Sequence, residues 1–133
     1  MYRAPLEDMQ FLIDDVLDIE GTLGQLPRFA EHGIGADLTT ALLDEAGKFG
    51  ADVLAPLRRV GDMQPATCAN GKVTISPGYA EAIQQLGAGG WVGITADTDA
   101  GGQGLPELYG TAACEIWNGA DMAFALEPFL SSG

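Results

Sequence analysis

The chain has 133 residues, of which 47% are hydrophobic and 19% charged, and it carries 19 glycines and a formal net charge of −13. This length predicts one domain, which at this size buries roughly 68% of its unfolded surface, and the apolar content is too high for intrinsic disorder. Nucleic acids and anionic membrane surfaces are not expected as partners, because both attract basic proteins.

Positive charge ends early in the chain. The last cation is Lys72, and residues 73 to 133 hold seven carboxylates. No run of 18 apolar residues predicts a membrane span, and acids interrupt the N-terminal segment where a secretory signal needs an apolar core. We therefore expect a cytoplasmic protein whose acidic surface serves solubility. Cys68 and Cys114 lie far apart and outside any CxxC pair, which predicts two buried, reduced thiols.

The first 20 residues predict an amphipathic helix that begins at Pro5 and stops at Gly21 and Gly24. Its carboxylates occupy the face opposite its apolar side chains. Residues 21–36 then predict a loop, in which His32 is a structural or solvent-facing histidine because it has no second histidine to pair with. The apolar stripe of the helix consists of Leu6, Met9, Leu12, Ile13, Val16 and Ile19.

The firmest predicted element is one long helix that begins at Asp37, its expected N-cap, and closes at Gly61. Pro56 lies inside it and predicts a kink there or an earlier break, because proline cannot donate a backbone hydrogen bond. The apolar register recurs at steps of 4, 3, 4, 4 and 3 and consists of Leu42, Ala46, Phe49, Val53, Leu57 and Val60.

Shorter elements follow. The Asn-Gly pair in "CANGKVTIS" predicts a turn beside a short extended piece that includes Val73 and Ile75. Ser76 and Pro77 read as the cap and first residue of the next helix, which ends at Gly87. The apolar face of that helix consists of Tyr79, Ala80, Ile83 and Leu86.

Two helices are predicted at the end of the chain. The first ends at Asn118 and Gly119, and Asp121 caps the second, which Pro128 interrupts. The predicted fold class is therefore all-α, with the glycines gathered in the connections. The apolar positions are Leu108, Ala112, Cys114, Ile116 and Trp117 in the first of these helices, and Met122, Leu126 and Phe129 in the second.

The glycine-rich stretch "GWVGITADTDAGGQGLPELYG", residues 90–110, raises three possibilities: a phosphate cradle, a metal loop or a bend. It lacks the third glycine of a dinucleotide fingerprint. A Walker loop needs Gly-Lys followed by Ser or Thr, whereas "NGKV", elsewhere in the chain, has Val73 at that position and no glycine five positions upstream. Asp97 and Asp99 could open a calcium loop, but the twelfth position is Leu108 and not glutamate. A bend remains, whose bare backbone either approaches a flat or narrow ligand or simply lets the loop turn.

No motif for nucleophilic catalysis is present, since the chain has neither a GxSxG elbow nor a Cys and His pair at an informative spacing.

The glycine-rich stretch, together with "CEIWNGADMAFALEP", resembles the N-terminal helical domain of acyl-CoA dehydrogenases. "YRAPLEDMQFLIDDVLD" and "APLRRVGD" are similar to the subgroup that includes the 3-methylmercaptopropionyl-CoA dehydrogenases. The resemblance covers essentially the whole chain, although Thr98 and Ala100 stand where the family usually has Pro and Tyr. It implies an N-terminal extension helix at 1–20 and an incomplete helical-bundle domain at 21–133, without the middle β-domain and C-terminal helical domain.

The resemblance also implies an FAD enzyme that oxidises an acyl-CoA thioester to the α,β-unsaturated product. The glutamate base and most flavin contacts of the family belong to the two other domains, so we expect no catalytic residue, no bound FAD and no activity in residues 1–133 alone. The implied partners of the complete enzyme are the acyl-CoA substrate, an electron-transfer flavoprotein and further copies of itself in a homo-oligomer. The implied acyl-pocket residues are Gln103, Leu105, Met122 and Phe124.

Two other readings remain open. The same helical domain occurs in acyl-CoA oxidases and flavin-dependent hydroxylases, which pass electrons to oxygen. The chain could also be a helical interaction module with no enzymatic role.

Overall fold

The computed structural model describes residues 1–131, apart from the side chains of Phe129 and Ser131. The all-α class is confirmed, since 64% of the chain is helical. The predicted place of Phe129 on an apolar face lies outside the described side chains. The elements in chain order are α1 (Leu6–Phe11), a π-helical segment (Leu12–Val16), α2 (Ile19–Thr22), α3 (Ala36–Lys48), a second π-helical segment (Phe49–Leu54), α4 (Ala55–Met63), β1 (Thr67–Ala69), β2 (Lys72–Thr74), α5 (Tyr79–Ala88) and α6 (Glu107–Ser131).

The prediction of one continuous N-terminal helix is wrong. The chain breaks at Asp18, whose backbone is left-handed with φ of 46°, and the Asp18 side chain then accepts a hydrogen bond from the amide of Gly21. Asp18 thereby caps α2, because a side-chain oxygen can satisfy an otherwise unpaired amide in the first turn. Gly21 consequently lies within α2 and does not end a helix.

The π-helical segment after α1 also changes which side chains face the core. A π turn holds more residues than an α turn, so the face that α1 presents to the core is not continued at a spacing of 3.6 residues. Ile13 and Ile19 are buried as predicted, but Leu12 and Val16 are 51% and 57% exposed. Their predicted place in the inward stripe is therefore wrong.

The long helix is confirmed between Ala36 and Met63, with the second π-helical segment directly before Pro56. Pro56 has no backbone N–H and cannot donate a hydrogen bond to the preceding turn, so the helix is irregular just before it. This irregular turn corresponds to the predicted kink or earlier break. The N-cap is Gly35 and not Asp37, which lies in the first turn. The helix also continues past Gly61.

The predicted turn and extended piece form a two-stranded antiparallel hairpin of β1 and β2. Asn70 and Gly71 both have positive φ, 52° and 75°, which is the conformation that a two-residue hairpin turn requires. All six strand residues are exposed. The prediction of two buried thiols is therefore wrong for Cys68, while Cys114 is half-buried, and both cysteines are free.

Helix α5 begins at Tyr79 and not at Pro77, and its N-cap is Gly78 and not Ser76, because Gly78 adopts a left-handed conformation with φ of 85°. It ends at Ala88, one residue beyond the predicted stop. Its buried side chains are Ala82 and Leu86; Tyr79 and Ile83 are half-buried and Ala80 is exposed.

Helix α6 is broken at Asp121 and not at Asn118 and Gly119, and it continues through Pro128 to Ser131. The predicted capping role of Asp121 is confirmed, because its Oδ1 accepts hydrogen bonds from the amides of Ala123 (3.0 Å) and Phe124 (3.3 Å). The helical phase restarts at this break. Phe124 and Ala125 are therefore buried, whereas Met122 and Leu126, the predicted apolar face, are 63% and 48% exposed.

The core lies where α6 packs against α3 and the following π-helical segment. Two polar contacts cross it: the hydroxyls of Thr39 and Tyr109 lie 3.1 Å apart, and the indole N–H of Trp117 donates to the carbonyl of Ala46 at 3.2 Å. The polar groups of these two contacts are thereby paired, as burial requires. Within residues 1–131, no helix is both long enough and apolar enough to cross a membrane.

Candidate functional site

The glycine-rich loop, residues 89–106, connects α5 to α6 through two short 3-10 turns. The four amides of residues 102–105 donate to carbonyl oxygens of residues 93–97 over 2.8–3.0 Å. A phosphate group bound on backbone needs free N–H donors, and these amides are already paired. These four amides are therefore not available to the pyrophosphate of FAD, and we assign no step of flavin chemistry to them.

The closest approaches to the loop glycines come from the chain itself. A Cβ on Gly102 would overlap the carbonyl oxygen of Ala96, and a Cβ on Gly104 would lie 3.1 Å from Nε2 of His32. Gly101 and Gly104 also have positive φ, 84° and 66°. These glycines therefore let the loop fold onto itself, which supports the simpler of the two interpretations of the bend.

Two side chains from the loop at residues 23–35 reach the glycine-rich loop. Arg28 forms an ion pair of 2.9 Å with Asp97, but the side chains are 61% and 77% exposed, so the pair contributes about 0–1 kcal/mol. His32 Nε2 lies 3.1 Å from the carbonyl oxygen of Gln103. The structural interpretation of His32 is thereby supported. Asp97 faces a cation and, among the described residues, no group of three potential ligands could hold a metal ion.

Gln103 and Leu105, two of the predicted pocket residues, have different environments. Gln103 is exposed, its Nε2 donates to the carbonyl of Gly90 at 2.9 Å, and it lines a surface cavity of about 290 Å³ together with Trp91. Leu105 is 7% exposed and belongs to the hydrophobic core. Gln103 can therefore touch a ligand directly, and Leu105 supports the loop from beneath.

Met122 and Phe124, the other two predicted pocket residues, follow the break in α6. Met122 lines a cleft of about 400 Å³ beside Tyr79. Phe124 is 1% exposed and its ring lies 6.0 Å from that of Phe49 and 6.2 Å from that of Tyr79. The cavity at Gln103 and the cleft at Met122 share no lining residue, so the structure does not bring the four predicted residues into one pocket.

A buried polar pair, which the sequence interpretation missed, lies in the cleft at Met122. The Tyr79 hydroxyl donates a 2.7 Å hydrogen bond to Oδ2 of Asp121, which is 1% exposed. Burial, together with the hydrogen bond to Asp121 and its charge, raises the pKa of Tyr79 to about 12. The carboxylate accepts three hydrogen bonds, so it acts as a helix cap. The capping position was readable in the sequence, but nothing local indicated a partner 42 residues earlier.

A row of aromatic rings connects the two surface regions through the core. Neighbouring centroids lie 5.2–6.2 Å apart, in the range where edge-to-face pairs are favourable. The row runs from the cavity at Gln103 to the cleft at Met122 and consists of Trp91, Trp117, Phe49, Phe124 and Tyr79.

Comparison with known proteins shows that the sequence of the chain is similar to that of an acyl-CoA dehydrogenase. The chain is 38% identical over 132 residues, 99% of its length, to the 3-methylmercaptopropionyl-CoA dehydrogenase of Ruegeria pomeroyi. It spans 22% of the length of that relative. No family model matches the chain. The resemblance inferred from the sequence is therefore confirmed.

Proposed function

We propose that the chain is the N-terminal helical domain of an FAD-dependent acyl-CoA dehydrogenase, which introduces an α,β double bond into an acyl-CoA thioester. The observation that carries this proposal is the 38% identity over 99% of the chain. Because the chain spans 22% of the relative, the activity, substrate, cofactor and partners of the whole protein all belong to the proposal. The name of the relative makes 3-methylmercaptopropionyl-CoA the first thioester to assay.

In the proposed enzyme, the catalytic and cofactor-binding functions belong to different domains from the one described. Residues 1–20 form an extension and residues 21–133 the helical domain, while the flavin seat and the glutamate base belong to a middle β-domain and a C-terminal helical domain. The paired amides of residues 102–105 support this division, since these four donors are not available to the flavin phosphates. Residues 1–133 alone should then be inactive. We further propose a cytoplasmic homo-oligomer that passes electrons to an electron-transfer flavoprotein.

The domain would contribute a wall of the acyl pocket and a surface for its neighbours. Gln103 and Met122 would touch the acyl chain or the adjoining domain, because both are exposed. Leu105 and Phe124 would support them from the core. Leu126 and Leu130, 48% and 73% exposed, continue the line of Met122 along α6 at intervals of four residues. An exposed apolar line of this kind is typical of a surface that another domain covers.

The experiment uses the longest polypeptide that the gene encodes around residues 1–133. We expect it to purify with flavin absorbance at about 450 nm, and that absorbance should bleach when an acyl-CoA is added without oxygen. Electron-transfer flavoprotein should restore the oxidised spectrum. A polypeptide without flavin, or a reading frame that ends at residue 133, would contradict the proposal and favour the interaction module. Rapid reoxidation by oxygen with no transfer to the flavoprotein would favour an oxidase or a hydroxylase.

A further inference from the structure

His32 is the one histidine of the chain, and it contacts the glycine-rich loop from 71 residues away. Its Nε2 lies 3.1 Å from the carbonyl oxygen of Gln103. A carbonyl can only accept, so Nε2 carries the hydrogen and Nδ1 of the neutral ring is bare. Nδ1 is buried and has no hydrogen-bond partner among the described residues. The ring is therefore held in the tautomer that donates to the loop.

Gln103 is held at three of its polar atoms. Its amide donates to the carbonyl of Gly93 at 2.8 Å and its side-chain Nε2 donates to the carbonyl of Gly90 at 2.9 Å. Both of these contacts lie inside the loop and fix its shape. The hydrogen bond from His32 to the Gln103 carbonyl comes from another segment, so it fixes where the loop lies relative to the rest of the domain.

Gly104 is fitted to the position of the His32 ring. A Cβ at residue 104 would lie 3.1 Å from Nε2 of His32, tighter than most real Cβ contacts. Gly101 has the same left-handed backbone, but a Cβ there would meet no atom within 4 Å. A Cβ at residue 104 would also lie 3.2 Å from Cγ2 of Thr98, so the comparison separates the steric need of these two neighbours from the general tolerance of glycine for positive φ.

The other contact between the two loops is weaker. Arg28 and Asp97 form an ion pair at 2.9 Å, with both side chains more than half exposed. Solvent screens such a pair, and each long side chain loses freedom when it forms. The hydrogen bond of His32 to the exposed Gln103 also lies near solvent, but the His32 ring is half-buried and its Nδ1 atom is fully buried, so packing restricts this ring more than it restricts the Arg28 side chain.

We propose that His32 is a positioning residue for the acyl pocket: through the Gln103 carbonyl it holds the glycine-rich loop in the place where Gln103 can meet the acyl chain. The effect on catalysis depends on the proposed function, whereas the effect on the loop does not. His32 itself does not touch the substrate. Its loss should therefore weaken binding of the thioester more than it slows the chemical step.

The test compares three variants of the longest encoded polypeptide: His32→Gln, His32→Asn and His32→Ala. The Gln amide can replace Nε2 as donor, whereas the shorter Asn amide cannot reach the same place. In His32→Asn and His32→Ala we expect backbone amides of residues 97–105 to exchange hydrogen roughly three- to tenfold faster, the change expected for one lost hydrogen bond. We expect KM for the acyl thioester to rise by a similar factor, with kcat changed less than twofold. His32→Gln should restore both quantities.

Each outcome decides one part of the inference. Unchanged amide exchange in His32→Asn, or no rescue by His32→Gln, would overturn the positioning role. Faster exchange with an unchanged KM would overturn the connection to the pocket. If the wild-type polypeptide shows no dehydrogenase activity, the proposed function fails while the exchange result still decides the role of His32. Should the His32 variants fail to fold, the two glycine variants are compared in a Thr98→Ser background, which lacks the Thr98 methyl that also lies near residue 104. There Gly104→Ala must raise exchange more than the matched Gly101→Ala, and equal effects would contradict the inference.

Discussion

The hydroxyl of Tyr79 donates a 2.7 Å hydrogen bond to the carboxylate of Asp121 at the point where α6 breaks. The same carboxylate accepts the amide hydrogens of Ala123 and Phe124. One buried side chain therefore starts the second half of α6 and joins it to α5. The orientation of Phe124 towards the core and of Met122 towards the cleft follows from this restart of the helix.

Asp121→Ala should lower the free energy of unfolding by roughly 2–4 kcal/mol, because it removes a helix cap and leaves the Tyr79 hydroxyl without its acceptor. Asp99→Ala is the matched control, since Asp99 is an exposed carboxylate in a loop, and it should change stability by less than about 0.5 kcal/mol. Denaturant unfolding followed by circular dichroism measures both. Equal values for the two variants would show that the cap does not hold this part of the fold.

Stability should fall at high pH as Tyr79 ionises. Burial, then the hydrogen bond to Asp121, raises the pKa of Tyr79 from 10.0 to about 12. The folded state therefore keeps this proton longer than the unfolded state, so its contribution is complete below pH 10 and is lost as pH rises to about 12. Ultraviolet titration of phenolate should show Tyr79 ionising at lower pH in Asp121→Asn. A titration that is the same in both proteins would contradict this assignment.

Gly102→Ala should destabilise the chain by roughly 1–3 kcal/mol, because its Cβ would overlap the carbonyl oxygen of Ala96 and the backbone must move. Gly87→Ala should do the opposite and stabilise by roughly 0.5–1 kcal/mol, because Gly87 lies within α5 with open space around it. Thermal unfolding of the two variants gives both signs. A neutral Gly102→Ala would mean that the loop is not closed on Ala96.

The two thiols should differ in reactivity. Cys68 is exposed on β1, whereas Cys114 is half-buried, and burial followed by the charge of Glu107 raises the pKa of its thiol. Since the thiolate is the reactive form, brief treatment with iodoacetamide at neutral pH should label Cys68 well before Cys114. Peptide mass spectrometry separates the two sites. Faster labelling of Cys114 would contradict the described packing of α6.

The helices were predictable because their apolar positions recur with the helical period. The long helix itself was predicted from this period, but its exact buried face was not: Ala46 is buried as predicted, whereas the other predicted positions are half-buried and the most buried leucines are Leu43 and Leu54. The π-helical segment at Phe49–Leu54 shifts the helical phase, which a regular spacing of apolar residues does not anticipate.

The break at Asp18 was not predictable in the same way. The left-handed backbone of Asp18 is offset by the hydrogen bond that its side chain accepts from the amide of Gly21. A pattern of hydrophobic residues carries no information about such a bond.

The candidate site was predictable in part. The sequence indicated the glycine-rich loop and the cap at Asp121, both of which depend on local chemistry. It did not indicate that Met122 faces outwards and Phe124 inwards, since that depends on where the helical phase restarts. The hydrogen bond between His32 and Gln103 was not predicted either, because it joins residues 71 positions apart and produces no periodic pattern in the sequence.

The most direct test of the central claim is the formation of α,β-unsaturated product from an acyl-CoA, measured with residues 1–133 alone and with the longest polypeptide encoded around them. The proposed function predicts flavin-dependent product from the long polypeptide and none from residues 1–133 under the same conditions. Desaturation of the thioester by residues 1–133 alone would contradict it.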